Sequence, residues 1–244
     1  MAIKPILFNT EMVRAILDGR KSCTRRINKD ANDYVVPDMD FYDSDKRTYA
    51  VHNYANKEHT DKLSIAERTC PICQGDILYV RETWRVGAWD IFNQMIAFDY
   101  KDGTCGELTY IHDQELFERL VNQSREDARK AKCDYNGVDF VWEKGKSPCR
   151  WHPSIHMPKE AARIWLKVTD VRIERLQEIT IDGIRNEGIS SMAVHAGDME
   201  IALKEWKNLC NSTIKKNRPD SYGWDANPWV WVIEFERCEK PEGV

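Results

Sequence analysis

Trp229-Val230-Trp231-Val232-Ile233-Glu234-Phe235 is apolar at almost every position and built from aromatic and β-branched residues. A run of that kind is the signature of a strand covered on both faces, so both tryptophans are expected in the core. Moving back from it, Arg218–Pro228 reads as a loop, and Asp198 can cap a helix carrying Met199, Ala202, Leu203, Trp206 and Leu209. Thr180 can cap a brief helix through Glu187, which Gly188 stops, and Ile164–Val171 alternates as a half-buried strand does. Pro158–Ala162 starts a short helical turn. Further out, Gln74-Gly75-Asp76 is a turn before a second buried strand, Ile77-Leu78-Tyr79-Val80, which ends at Arg81-Glu82-Thr83-Trp84. Ile96–Tyr100 and Glu107–Tyr110 can pair as a hairpin around Asp102-Gly103. A helix is expected over Gln114–Lys132, with Leu116, Leu120 and Val121 on its apolar face, and Asn136-Gly137 marks a turn before Val138–Trp142.

At the start, Thr10 is the expected N-cap of a helix over Glu11–Asp18 striped by Met12, Val13, Ile16 and Leu17, with Gly19 at its C′ position. From Asn28 to Arg68 the chain turns polar with little periodicity and reads as an irregular insertion. The whole is expected to be α+β: a small mixed β-barrel with flanking helices, one domain over residues 1–244, with large insertions at about 28–68 and 85–150.

The bulk numbers set limits on function. At 244 residues and 42% hydrophobic content the chain can bury a real core. A formal charge of -4 argues against wholesale coating of nucleic acid, so any such site must be a local patch. No apolar run approaches membrane-spanning length and the first residues, Met-Ala-Ile-Lys-Pro, carry no signal-peptide core, which points to the cytoplasm and away from membranes. Eight cysteines are then expected as reduced thiols or metal ligands.

Against that acidic background, Gly19-Arg20-Lys21-Ser22-Cys23-Thr24-Arg25-Arg26 packs four cations around one threonine. Such a knot in the loop leaving the first helix needs an electrostatic reason, and an anionic or polar ligand supplies one. Lys21 and Thr24 are also the residue types of a base and a nucleophile.

Four stretches in order resemble the ASCH family, a branch of the PUA-like group of small β-barrels. They are Leu17-Asp18-Gly19-Arg20-Lys21-Ser22-Cys23-Thr24-Arg25-Arg26, Gly75 through Trp84, Pro153-Ser154-Ile155-His156-Met157-Pro158, and Asn227 through Phe235. The third looks most like large phage- and prophage-borne members. The resemblance covers both ends and the centre of the chain but not the insertions. It implies a cleft that receives RNA or a modified nucleoside. A small bacterial member of the family hydrolyses N(4)-acetylcytidine with a lysine, a threonine three residues on, and a later glutamate. By resemblance these fall at Lys21, Thr24 and Glu187, the last counted forward from Leu176-Gln177-Glu178-Ile179-Thr180. Another branch has ribonuclease activity, so the fold leaves the chemistry open.

In the hydrolytic reading Thr24 attacks the acetyl carbonyl, a neutral Lys21 takes its proton, and Glu187 relays a proton or orients a water. Arg20, Arg25 and Arg26 would disfavour the ammonium of Lys21 while Glu187 would favour it. The alternative is an ordinary Lys21–Glu187 ion pair with Thr24 in a turn, and RNA binding without catalysis. Arg81, Glu82 and Trp84 at a strand end are candidate substrate contacts, with Trp84 stacking on a base and Arg81 meeting a phosphate; equally, Trp84 is core and Arg81–Glu82 a structural pair. His156 is a candidate donor to a base edge or phosphate, or a packed structural histidine.

Cys70-Pro71-Ile72-Cys73 has the spacing of half a zinc knuckle. Cys133, Cys149 and His152 are candidates for the other half. The hydrolytic chemistry itself requires no cofactor, so a metal here would be a structural zinc, and reduced thiols are the alternative. Cys23 lies inside the knot, but Thr24, not Cys23, matches the family's nucleophile.

Overall fold

The computed structural model of the chain describes residues 1–28, 35–43, 48–54, 62–69, 71–213 and 222–242. Strand β1 is Ile3–Leu7, helix α1 Thr10–Leu17, β2 Cys23–Ile27, β3 Val35–Asp43, β4 Thr48–Tyr54, β5 Lys62–Thr69 and β6 Ile77–Arg81. There follow β7 Trp84–Asp90, β8 Met95–Tyr100, β9 Thr109–Tyr110, α2 Gln114–Lys130, β10 Asp134–Tyr135 and β11 Phe140–Val141. The chain ends with β12 Trp165–Arg175, α3 Ile181–Asn186, α4 Met192–Ala196, α5 Met199–Thr213 and β13 Trp229–Cys238. The α+β class is as expected. Among the described residues the main sheet runs β1-β6-β12-β13-β2 with two open ends, so no closed barrel forms. No helix among them is long and apolar enough to cross a membrane.

The chain divides into two compact units. The first comprises Met1–Lys4, Ala15–Leu78 and Leu166–Cys238, and the second Pro5–Arg14, Tyr79–Trp165 and Glu239–Val244. The first insertion therefore belongs to the first unit, and the second insertion makes up most of the second.

In the first unit, β13 is as central as its composition requires: Val230, Trp231, Val232 and Ile233 are all buried. It pairs antiparallel with β2 in the register Cys23↔Glu234, Thr24↔Ile233, Arg25↔Val232, Arg26↔Trp231 and Ile27↔Val230. The second half of the basic knot, Cys23–Arg26, is thus strand rather than loop, while Gly19–Ser22 leads into it. Once Gly19 turns the chain at φ 74°, the best partner for its backbone is the unpaired edge of β13. On one face of this pair, Cys23, Val230 and Val232 join Ile184, Val194 and Trp206 from the helices in one core. Trp229 is only half-buried and lies under the Arg175 guanidinium, 4.1 Å from its ring centre. The polar stretch after Asn28 is also not irregular: β3, β4 and β5 form an antiparallel meander pairing Val36↔His52 and His52↔Ile65. Pro37 and the many charged and polar residues in this stretch weaken its local strand propensity, and pairing between the three strands supplies what propensity lacks.

The capping predictions mostly hold. Thr180 accepts from the Gly183 amide, and Asp198 accepts from Ile201. At α1 the cap is one residue earlier than expected, since the Asn9 side chain, not Thr10, accepts from Met12.

The second unit is built on β7-β8-β9 with α2 packed through Leu116, Phe117, Leu120 and Val121. The main partner of β8 is β7. The expected hairpin around Asp102-Gly103 is also present, through the bridge Asp99↔Cys105, the Gly106 amide donating to the Phe98 carbonyl at 2.8 Å, and the β9 pairs Met95↔Tyr110 and Ile96↔Thr109. A bulge at Gly87 shifts the β7–β8 register between Val86↔Phe98 and Ala88↔Ala97.

Candidate functional site

Helix α3 delivers Glu187 to the start of β2. Its N-terminus is fixed by the Thr180 cap, and Gly188, at φ 94°, lets the chain leave tightly. A Cβ on Gly188 would fall 2.8 Å from the Ala15 Cβ and 3.1 Å from the Lys21 Cβ, so only glycine allows this approach. Lys21 and Glu187 form an isolated antiparallel bridge, and the Ser22 amide donates to the Asn186 carbonyl at 2.9 Å.

The side chains repeat that link. Lys21 Nζ donates to Glu187 Oε2 at 2.6 Å, to the Glu187 carbonyl at 3.0 Å and to the Cys23 carbonyl at 2.7 Å. Three acceptors around one nitrogen suit the three N–H bonds of an ammonium; a neutral amine has only two to give. The side chains of Lys21 and Glu187 are 0% and 3% exposed. Arg25 extends the chain of charges, with Nη1 3.5 Å from Glu187 Oε1 and Nη2 3.2 Å from Glu174 Oε2. Arg172 then joins Glu174 to Asp170 and Glu234 at the more exposed edge. Inside this setting, burial first and then Glu187 push the Cys23 thiol up to about 12, against the opposing pull of Arg25 and Lys21.

Thr24 does not join them. Cys23 and Arg25 face the α3 side, and side chains along a strand alternate. Thr24, between them, therefore faces the other side of the sheet beside its register partner Ile233, and is itself buried. Arg26 shares that side, and burial lowers its pKa. Arg20 is turned back on its own neighbourhood, paired with Asp18 and donating to the Gly188 carbonyl at 2.8 Å. The structure brings Lys21, Glu187 and Arg25 together, and sets Thr24 apart from them.

The second unit carries the other predicted residues. Glu82 is gripped at both oxygens by Arg163, whose Nε and Nη2 lie 2.9 and 2.8 Å away. Arg163 also holds Asp102 at 2.7 Å and stacks on the Tyr100 ring at 4.0 Å. Burial raises the Glu82 carboxyl, and its hydrogen bonds to Arg163 oppose that rise. Trp84 is core, edge-on to Phe98 and stacked on His152 at 4.6 Å. Burial, then the charge of Arg150, lowers the His152 pKa.

Arg81 is different. Its Nη1 donates to the Ile155 carbonyl at 3.2 Å, its guanidinium lies 5.4 Å from the Tyr79 ring centre, and no carboxylate of the described residues pairs with it. His156 is exposed at the end of the one-turn 3-10 helix Ser154–His156. Close by in sequence, the half-buried Trp151 is flanked by Arg85 and Lys101, each 4.6 Å from its ring centre. Lys101 is exposed and likewise pairs with no carboxylate of the described residues. The sequence reading missed Trp151, Lys101 and Arg163. The run Arg150-Trp151-His152, abutting Pro153–Pro158, held the signal for the first of these: cations and an aromatic side by side.

Of the zinc candidates, Cys70 lies outside the described residues. Cys73 belongs to the first unit, whereas Cys133 and Cys149 belong to the second. Cys149 is buried and hydrogen bonded to Ser147 and Ser124. Among the described residues no group of three or more His, Cys, Asp or Glu side chains is placed to hold a metal ion.

Compared with known proteins, the chain matches no family model, no curated protein and no solved structure.

Proposed function

We propose that this is an ASCH-type, PUA-like protein that binds single-stranded RNA without cleaving an amide, through Arg81, Lys101, Trp151 and His156 of the second unit. One observation carries the reading. Arg20, Lys21 and Arg25 of the knot each have a carboxylate partner, whereas Arg81 and Lys101 have none among the described residues and sit beside aromatic rings. Unpaired cations with aromatic surface are what a flexible strand of phosphates and bases requires. The four motif matches supply the fold expectation. Against the hydrolytic version stands the alternation of β2, which turns Thr24 to the face opposite Cys23 and Arg25.

The test is anisotropy of a labelled RNA oligonucleotide at low salt. Arg81→Ala with Lys101→Ala is expected to weaken binding about tenfold or more, and Trp151→Ala by a comparable factor. Arg20→Ala, at an exposed internal pair, is expected to leave it unchanged. Absence of binding, or binding indifferent to the three second-unit changes, overturns the proposal. Incubation with N(4)-acetylcytidine is expected to release no cytidine, and release abolished by Thr24→Ala would restore the hydrolase.

A further inference from the structure

A cavity of about 270 Å³ opens within the second unit, and none of Arg81, Lys101, Trp151 and His156 lines it. Its floor is a place where the sheet loses its side chains: Gly87, Ala88 and Ala97 lie across β7 and β8, and Gly106 follows in the next loop. The glycines are there for close approach. A Cβ at Gly87 would fall 2.4 Å from Asp99 Oδ1, and one at Gly106 would fall 2.8 Å from the Phe98 carbonyl oxygen.

The polar groups are held firmly at the base and loosely at the mouth. Asp99, nearly buried, takes Arg85 Nε at 3.2 Å, and the same guanidinium donates to the carbonyls of Ser147 and Gly145 at 2.6 and 2.8 Å. Trp142 is locked into the wall by its Nε1 bond to the Gly87 carbonyl at 2.7 Å. At the rim, Lys144 and Glu107 pair at 2.9 Å while 65% and 88% exposed. A pair that exposed is worth little and opens cheaply.

We propose that this cavity binds a small aliphatic amino acid as its zwitterion, the ammonium at Asp99 and Glu107, the carboxylate at Lys144, and the side chain against Ala88, Ala97, Leu108 and Trp142. The charges decide the class. The site holds two carboxylates and, with Arg85 behind Asp99, two cations. A ligand of one sign would leave one rim group without a partner, whereas a zwitterion can engage both when their mutual pair opens. The volume decides the size, falling just below the roughly 300 Å³ at which pockets for larger organic ligands begin. This site stands apart from the RNA reading and does not depend on it.

The experiment is calorimetric titration of the full chain with L-leucine, leucinamide and 4-methylpentanoate. Leucine is expected to bind with a Kd on the order of 0.1–1 mM, as so small a ligand can. Each analogue, lacking one charge, is expected to bind about tenfold more weakly. Ala88→Leu, at an exposed position, fills the cavity and is expected to abolish binding. Lys144→Met, on the exposed rim, is expected to weaken leucine while leaving leucinamide unchanged. The proposal is overturned if leucine does not bind by about 10 mM, if the three ligands bind equally, or if leucine binding survives both variants.

Discussion

Cys23 shows how far one residue's chemistry depends on its neighbours. The sequence places it among four cations, where a thiol would be expected to ionise easily. Burial outweighs them, and the thiol is pushed up to about 12. In the unfolded chain it ionises near its ordinary value of about 8.5. Between those two values the folded state therefore holds a proton that the unfolded state has lost. Stability contributed by this thiol is fully present below the lower value and falls as pH rises towards the upper one, by up to about 1.4 kcal/mol per pH unit. Urea unfolding of the wild type and of Cys23→Ala from pH 8 to pH about 11 isolates that slope. The wild type is expected to lose stability more steeply than the variant. Parallel slopes would mean that the folded thiol ionises as an exposed one does.

At the scale of elements, the Lys21–Glu187 pair ties the end of α3 to the strand that follows α1. The pairing was legible in the sequence only through the family frame, because the two residues are 166 positions apart. The caps at Thr180 and Asp198 were legible directly, since they depend on a few neighbouring residues. That Cys23–Arg26 forms strand rather than loop was not legible, because its strand character comes from pairing with β13 rather than from its own polar residues. That same alternation separated Thr24 from Lys21. A buried ion pair is costly to break and much cheaper to replace whole. Lys21→Met is therefore expected to destabilise the protein by about 3–5 kcal/mol by leaving the Glu187 carboxylate without its ammonium. Lys21→Met with Glu187→Leu is expected to recover most of that loss in the same denaturation experiment. A single-variant cost under about 1 kcal/mol would place this pair with exposed ones such as Lys144–Glu107.

Across the whole molecule, the sequence could show that a core strand near the end of the chain organises an α+β fold. The open order of the main sheet and the division into two units depend on pairings between distant strands, which composition does not encode. The same holds for charge. The knot looked like the basic patch of an acidic chain, yet most of its cations are used up inside the first unit. The RNA reading draws on Arg81 and Lys101, which pair with no carboxylate of the described residues, and on the exposed His156. Each phosphate contact releases condensed counterions and contributes about -0.7 to the slope of log K against log salt for a single strand. Two or three contacts thus set an expected slope of about -1.5 to -2, and aromatic stacking supplies affinity that salt does not remove. Anisotropy titrations across a salt series measure it. Arg81→Ala is expected to make the slope shallower by about 0.7, whereas Trp151→Ala is expected to lower affinity at every salt concentration with the slope unchanged. A wild-type slope steeper than about -4 would require more phosphate contacts than these cations can make, and the RNA would then have to follow a different surface.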